Sequence, residues 1–408
     1  MNMLTFIKTE DLDVVEQIDQ PKGNGKVPDV GLDEWDAGDN PGSIPPRQWL
    51  LGNQFCRGFI SSIVAAGGTG KSALRLVQLI SLAVGRPLCG QHVFRRCRVL
   101  LISLEDDRNE MERRIKAVLD HYKIDRAELK GWLFVATPRL AKLALMNGKT
   151  RIVGPLEQQI RDAIARRQPD IIALDPFIKT HGLEENDSGD MDFVCDLLAR
   201  MAIEYDIAVD SPHHVHKGQM TPGDADSGRG SSGIKDAGRL VYTLVTMSAD
   251  EAKTFNINPD ARCSYIRLDP AKINIAARAT KATWFHLIGV PIDNGTEDYP
   301  NGDTIQVVEP WSPPSTWADT TPETLNWILN YIAEGMPNGQ RYSNAPNAGK
   351  RAVWPVVQQR YPEKPESQCR AIIHAWLESG LLYPNKYNDP VDHRERTGLY
   401  VDNDKRPD

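Results

Sequence analysis

The sequence predicts an α/β protein: a twisted, mostly parallel sheet flanked by helices, followed by a small C-terminal α+β module that is winged-helix-like. Three observations carry this. Short apolar runs recur, each closing on a glycine-rich, acidic or polar segment, as buried strands do where their carboxyl ends face a ligand crevice. Amphipathic helical stretches alternate with these runs. Beyond residue 318 the pattern changes to three helical segments and two β-like runs.

The 408 residues exceed one ordinary core. The division expected is an acidic disordered arm over 1–43, a large domain over 44–290, a linker or terminal hairpin over 291–318 and the winged-helix-like module over 319–408. Hydrophobic content of 40% and charged content of 25% suit a soluble globular protein, and the scattered cysteines suit the cytoplasm. No apolar run has the length of a membrane span, and Met1 to Glu10 lacks a signal-peptide pattern. The six cysteines form no C-x-x-C pair, which favours reduced thiols over a disulfide or zinc framework. A net charge of −7 excludes general attraction to nucleic acid, so DNA binding would need local basic patches or several copies around a channel.

The strongest local signal is Gly58 to Val64, read as a buried strand, then Ala65-Ala66-Gly67-Gly68-Thr69-Gly70-Lys71-Ser72, then an apolar helix ending near Gly85. Glycines let backbone N–H groups close around phosphate oxygens, a lysine neutralises the outer phosphates, and a serine hydroxyl ligates Mg²⁺. Gly67, Gly68, Thr69, Gly70, Lys71, Ser72 and Ala73 are therefore the candidate ATP contacts, although Ala65 stands where the pattern asks for its first glycine.

Two further strands close on acids. Arg98 to Leu104 runs into Glu105-Asp106-Asp107, and Asp170 to Leu174 into Asp175-Pro176. A carboxylate at such a strand end sits beside the ligand crevice. Glu105 is the candidate to orient or deprotonate an attacking water, with Asp106 and Asp107 assigned mainly to capping the next helix. Asp175 joins Ser72 as a magnesium ligand.

Ile207 to Asp210 forms a further strand leading to Ser211-Pro212-His213-His214-Val215-His216-Lys217-Gly218. Three histidines without a fourth well-spaced ligand do not make a zinc site. A polar sensor of the terminal phosphate, or a structural pair, are the two readings. The loop from Gly218 to Gly233 is long and glycine-rich, and Arg229 within it and Arg239 beyond it are candidate arginine fingers, with solvated arginines as the alternative.

This order of parts resembles the RecA-type P-loop ATPases of the AAA family, and more narrowly the RepA-like hexameric replicative helicases of plasmids and mobile elements. The resemblance covers roughly residues 44–290 and rests on Gly67 to Ser72, Ile102 to Asp106, Ala173 to Pro176, Glu185 to Asp187, His213 to Gly218 and Asp236 to Arg239. It implies a RecA-like core, with Lys71 on phosphate, Ser72 and Asp175 on Mg²⁺, and Glu105 as base. It also implies His213 as phosphate sensor, interchangeable with His214, and Arg239 as a finger acting on a neighbouring subunit. Lys272 would lie near the neighbour's nucleotide. The partners implied are single-stranded or forked DNA, further copies of the chain in a ring of six, and a replication initiator or primase, with no membrane.

The back half of this domain continues with β-like runs at Leu240 to Val245, Cys263 to Leu268 and Thr283 to Ile288, expected to extend the sheet antiparallel. In the C-terminal module, helices are expected from Leu325 to Ile332, Lys350 to Tyr361 and Ser367 to Ser379, then two strands around Leu382 and Leu399. Lys350, Arg351 and Arg370 are candidate phosphate contacts, and Trp327, Trp354 and Trp376 are read as core. Besides a DNA motor, the sequence accommodates a RecA- or KaiC-like regulatory ATPase and an ATP-switched DNA-binding factor.

Overall fold

A computed structural model describes residues 34–39, 42–215, 220–224, 233–255, 257–277, 282–313 and 321–406. Most of the acidic arm, His216, Lys217 and Arg229 lie outside the described residues. The chain divides into two compact units. One holds the chain to Met247 together with Cys263–Trp311, and the other holds Ser248–Arg262 together with Ser312–Asp408.

In the first unit a short hairpin, β1 (Trp49–Leu51) and β2 (Phe55–Cys56), precedes β3 (Ile60–Ala66). Helix α1 (Lys71–Val84) follows the glycine loop and stops at Gly85, whose left-handed backbone returns an N–H to the Ser81 carbonyl. Next come β4 (Val99–Ser103), α2 (Arg108–Tyr122) and β5 (Leu133–Ala136), then a β6 (Ala144–Asn147) and β7 (Thr150–Val153) hairpin. The parallel part continues with α3 (Pro155–Arg167), β8 (Ile171–Asp175), α4 (Ser188–Glu204), β9 (Ala208–Asp210) and β10 (His213–Val215). A short α5 (Gly233–Ala237) precedes β11 (Leu240–Thr246). Helix α6 (Ala249–Thr254) belongs to the second unit, and β12 (Tyr265–Ile273), β13 (Thr283–Pro291) and β14 (Thr304–Trp311) finish the first.

These strands form a 10-stranded sheet ordered β14-β13-β12-β11-β3-β9-β8-β4-β5, with β10 added beside β3. The α/β class read from the sequence is borne out. One detail is corrected: β11 runs parallel to β3, so the antiparallel extension begins only at β12. The stretch read as linker or terminal hairpin contains β14, which pairs along β13 from Trp284↔Trp311 to Pro291↔Thr304.

Period-2 alternation divides the sheet between two cores. Val99 and Leu101 of β4 and Ile171 and Ala173 of β8 face α1 and α2. Leu100, Ile102, Ile172 and Leu174 face α3 and α4. Because successive strand residues point to opposite faces, such fully apolar strands need cover on both sides.

The second unit packs α7 (Pro322–Glu334), α8 (Trp354–Arg360), α9 (Glu366–Glu378) and the β15 (Leu382–Asn388) and β16 (Glu395–Val401) hairpin around one core that includes Ile328, Val357, Ile373, Trp376 and Leu399. The helix expected from Lys350 is shorter: Gly349–Arg351 is a 3₁₀ turn, and α8 starts with Pro355 in its first turn, where no amide donor is needed. Trp376 is buried, but Trp327 is 38% exposed and stacks on Tyr331, so the core reading fails for it. Arg351 donates to the Tyr387 hydroxyl, Arg370 pairs with Glu366, and Lys350 is exposed.

Candidate active site

The glycine loop leaves β3 at Ala66 and re-enters helix at Lys71. Two of its glycines adopt left-handed backbone, Gly68 at φ 77° and Gly70 at φ 95°. A Cβ on Gly67 or Gly68 would meet nothing within 4 Å, whereas one on Gly70 would lie 2.9 Å from Leu287 of β13. The loop is therefore open towards the cleft and tight against the sheet, as a phosphate cradle requires.

Lys71 is 3% exposed. Its ammonium donates to the carbonyls of Ala65 (3.0 Å) and Ala66 (2.9 Å) and to His214 Nδ1 (3.1 Å). Burial pulls its pKa down to about 8, against the opposing pull of Asp175 and Glu105. Asp175, at the end of β8 and joined to Pro176 by a cis peptide, is pushed up to about 6 by burial, with the Ser72 hydroxyl beside it acting the other way. Its Oδ1 is a buried oxygen with no hydrogen-bond donor among the described residues. An orphan carboxylate oxygen near a serine hydroxyl, below an open glycine loop, fits a magnesium–nucleotide complex held by Ser72 and Asp175.

Neighbouring strands bring the remaining groups to the same edge. β4 and β8 pair as Ser103↔Asp175, so Glu105 and Asp106 leave β4 at the level of Asp175. Glu105 is exposed and has no hydrogen bond or ion pair among the described residues, yet its charge is felt at Lys71, Asp175 and His214. Asp107 caps α2 by accepting from the Glu110 amide at 2.9 Å. Asp106 does not cap: Arg114 holds it at 3.2 Å, and the two line a small cavity together with Ser72 and Asp175. Capping needs only one acceptor at the N-cap, which leaves Asp106 to face the site.

His213 and His214 lie on strand β10, with His213↔Val64 and His214↔Ala65 in register beside β3. Adjacent strand residues point to opposite sides, and this separates their environments. His214 lines the cleft of about 400 Å³ over the phosphate loop. His213 is 1% exposed and sits edge-on to Phe177 at 5.6 Å, with neither ring nitrogen bonded among the described residues. His181 lies on the same phenyl ring at 5.2 Å. Burial holds both His181 and His213 at about 4 instead of the ordinary 6.5. The unfolded chain thus protonates at higher pH than the folded one, so stability falls as pH drops from 6.5 towards 4. The expected result is an unfolding free energy that declines over this window by up to about 1.4 kcal/mol per pH unit for each histidine, read as a falling thermal midpoint that declines less steeply in His181→Phe.

Arg239 is not brought to this edge. Its amide donates to the Ile60 carbonyl at 3.1 Å, at the opposite end of β3 from the loop. The seven residues from Ile60 to Ala66, rising about 3.3 Å each, place its backbone about 20 Å from the phosphate cradle of its own chain. Lys272 lies on β12, opposite Val241.

The sequence reading missed a buried network beneath the site. Arg75 of α1 is 2% exposed and pairs at 2.8 Å with Asp210, which is fully buried. Arg75 also donates to Gln78 (2.7 Å) and lies over the Phe55 ring, while the Ser61 hydroxyl donates to Asp210 at 2.7 Å. The available signal was a lone arginine in the apolar helix after the loop and an acid closing the β9 strand. Arg114 and Thr304, Ile305 and Gln306 of β14, which line the cleft, were missed as well.

A glycine cradle with a buried lysine, a serine and a strand-end aspartate on one edge of a parallel sheet define a P-loop nucleotide-binding domain. Residues 26–220 match a family model described as AAA domain, AAA_25, so over that stretch the chain is similar to AAA-type ATPases. Among the described residues no helix is long and apolar enough to cross a membrane.

Proposed function

We propose that the chain is an ATP-hydrolysing DNA motor, a RepA-like replicative helicase of a plasmid or mobile element, working as a ring of six copies. The observation supporting this best is the split of the site: Lys71, Ser72, Asp175, Glu105 and His214 share one edge of the sheet, while Arg239 lies at the other end of β3. A cation held away from its own cradle is suited to another copy's.

In this reading bound Mg-ATP supplies the phosphoanhydride bond that is broken. Lys71 neutralises the outer phosphates, and Ser72 and Asp175 hold the metal. Glu105 takes the proton of the attacking water, its exposure giving water access. His214, in contact with Lys71, reports the terminal phosphate to β10, and His213 fixes that strand behind Phe177. Arg239 of a neighbouring copy offsets the charge that develops in the transition state. The second unit, with three helices and a hairpin, serves as the winged-helix-like module, and Lys350 is the candidate there least engaged by neighbours.

Hydrolysis measured with and without single-stranded DNA, together with unwinding of a forked duplex and the native mass in ATP, tests this. Stimulation, strand separation and a ring mass are expected. Hydrolysis with neither stimulation nor unwinding would replace the motor by a RecA- or KaiC-like regulator. Mixing Lys71→Ala with Arg239→Ala copies is expected to restore part of the activity that each lacks alone; mixed assemblies without any recovery would remove Arg239 from the shared site.

A further inference from the structure

The excursion between β5 and α3 plays no part in the phosphate site, and its anchoring is specific. The Leu143 amide donates to the Thr180 carbonyl at 2.6 Å, the Gly182 amide donates to Ala144 at 2.9 Å, and Ala144 bridges to His181. The β6–β7 hairpin is thereby tied to the segment that leaves β8 just after Asp175, on the ligand edge of the sheet.

Two features there are unfavourable for a merely structural turn. Leu140 is 97% exposed and adopts φ 63°, a left-handed conformation that branched L residues avoid. Four cations belong to this excursion and to the segment it is tied to. The Lys142 ammonium donates to the Lys179 carbonyl at 2.5 Å, and the two like charges oppose one another. Arg139 precedes this pair, and Lys149 stands at the hairpin tip, both exposed. Among the described residues none of the four has an ion-pair partner. The neighbouring acids Asp187 and Asp190 are taken by Arg151, at 3.2 and 2.6 Å. Such cations, together with an exposed aliphatic side chain, match a polyanion that also carries apolar faces.

We propose that the β6–β7 excursion is a contact for a single nucleic-acid strand, with Arg139, Lys142, Lys149 and Lys179 each on a phosphate along the track and Leu140 against a base. This rests on the DNA-motor reading and assigns part of its DNA contact to residues outside the ATPase elements.

The test is binding of a fluorescein-labelled oligothymidylate of about 20 nucleotides to the full-length protein across a salt series. For Arg139→Gln, Lys142→Gln, Lys149→Gln and Lys179→Gln, each substitution is expected to flatten the plot of log affinity against log salt by about 0.7. Leu140→Ser should weaken binding with no change of slope, because it removes an apolar contact and no charge. Hydrolysis without DNA should stay at the wild-type rate in Arg139→Gln and Lys149→Gln, which touch nothing in the phosphate site. Wild-type binding with unchanged slopes in all four cation variants would overturn the hairpin assignment and leave the motor reading standing. A wild-type protein that hydrolyses ATP but binds no oligonucleotide would overturn both.

Discussion

Glu105→Gln is expected to lower ATP turnover by about 10²- to 10⁴-fold while leaving nucleotide affinity and fold intact, because the change removes a proton acceptor and little else. The carboxylate is exposed and unbonded among the described residues, so glutamine disturbs no packing. Its neighbour supplies the control. Asp106 also faces Ser72 and Asp175, but Arg114 already holds it, and burial raises its pKa. Asp106→Asn should weaken the Arg114 contact and reduce turnover far less. The two variants are compared by steady-state hydrolysis and by equilibrium titration with Mg-ATP. If Asp106→Asn were the inactive one and Glu105→Gln retained turnover, the base would have to be moved one residue along the chain.

Arg75→Met should destabilise the first unit by about 3–5 kcal/mol, since it leaves the Asp210 carboxylate buried without its cation. Asp210 is fully enclosed, and burial already raises its pKa against the pull of Arg75 and the Ser61 hydroxyl. The double variant Arg75→Met/Asp210→Leu should recover part of the loss, because it removes both charges together while the Gln78 side-chain amide and the Ser61 hydroxyl lose a partner. Denaturant unfolding of the single and double variants measures this, and a single variant as stable as the wild type would show that the pair is not a support. Asp210 also raises the Asp175 pKa, so the double variant is expected to alter magnesium dependence even where stability returns.

What the sequence disclosed about the site depends on whether each feature is local. Gly67 to Ser72 and Asp175 were legible because glycine spacing and a strand-end acid are written in consecutive residues. The Arg75–Asp210 pair was not, since its partners stand 135 residues apart and only the adjacency of β3 and β9 unites them. The His213–Val215 strand is three residues long and follows Pro212 directly, too short a run to carry a β pattern of its own. Which histidine faces the cleft was fixed by register, not by composition. The β6–β7 hairpin carried a usable signal, Asn147-Gly148 between short apolar runs, that went unread. Proline and glycine around β14 disguised the sheet's last strand, although its partner β13 was recognised.

That last strand bears on how the protein can be divided. Expression of a fragment ending at residue 290 would strip β14 away and bare the hydrogen-bonding side of β13, inviting sheet-to-sheet aggregation. Ending at Trp311 keeps the strand but strands α6 instead, because Ser248–Arg262 clusters with the residues that follow Ser312 and Thr254 accepts from Gln368 at 2.9 Å. The smaller unit is stitched from two stretches of chain, so neither piece is expected to be well behaved when the gene is cut once.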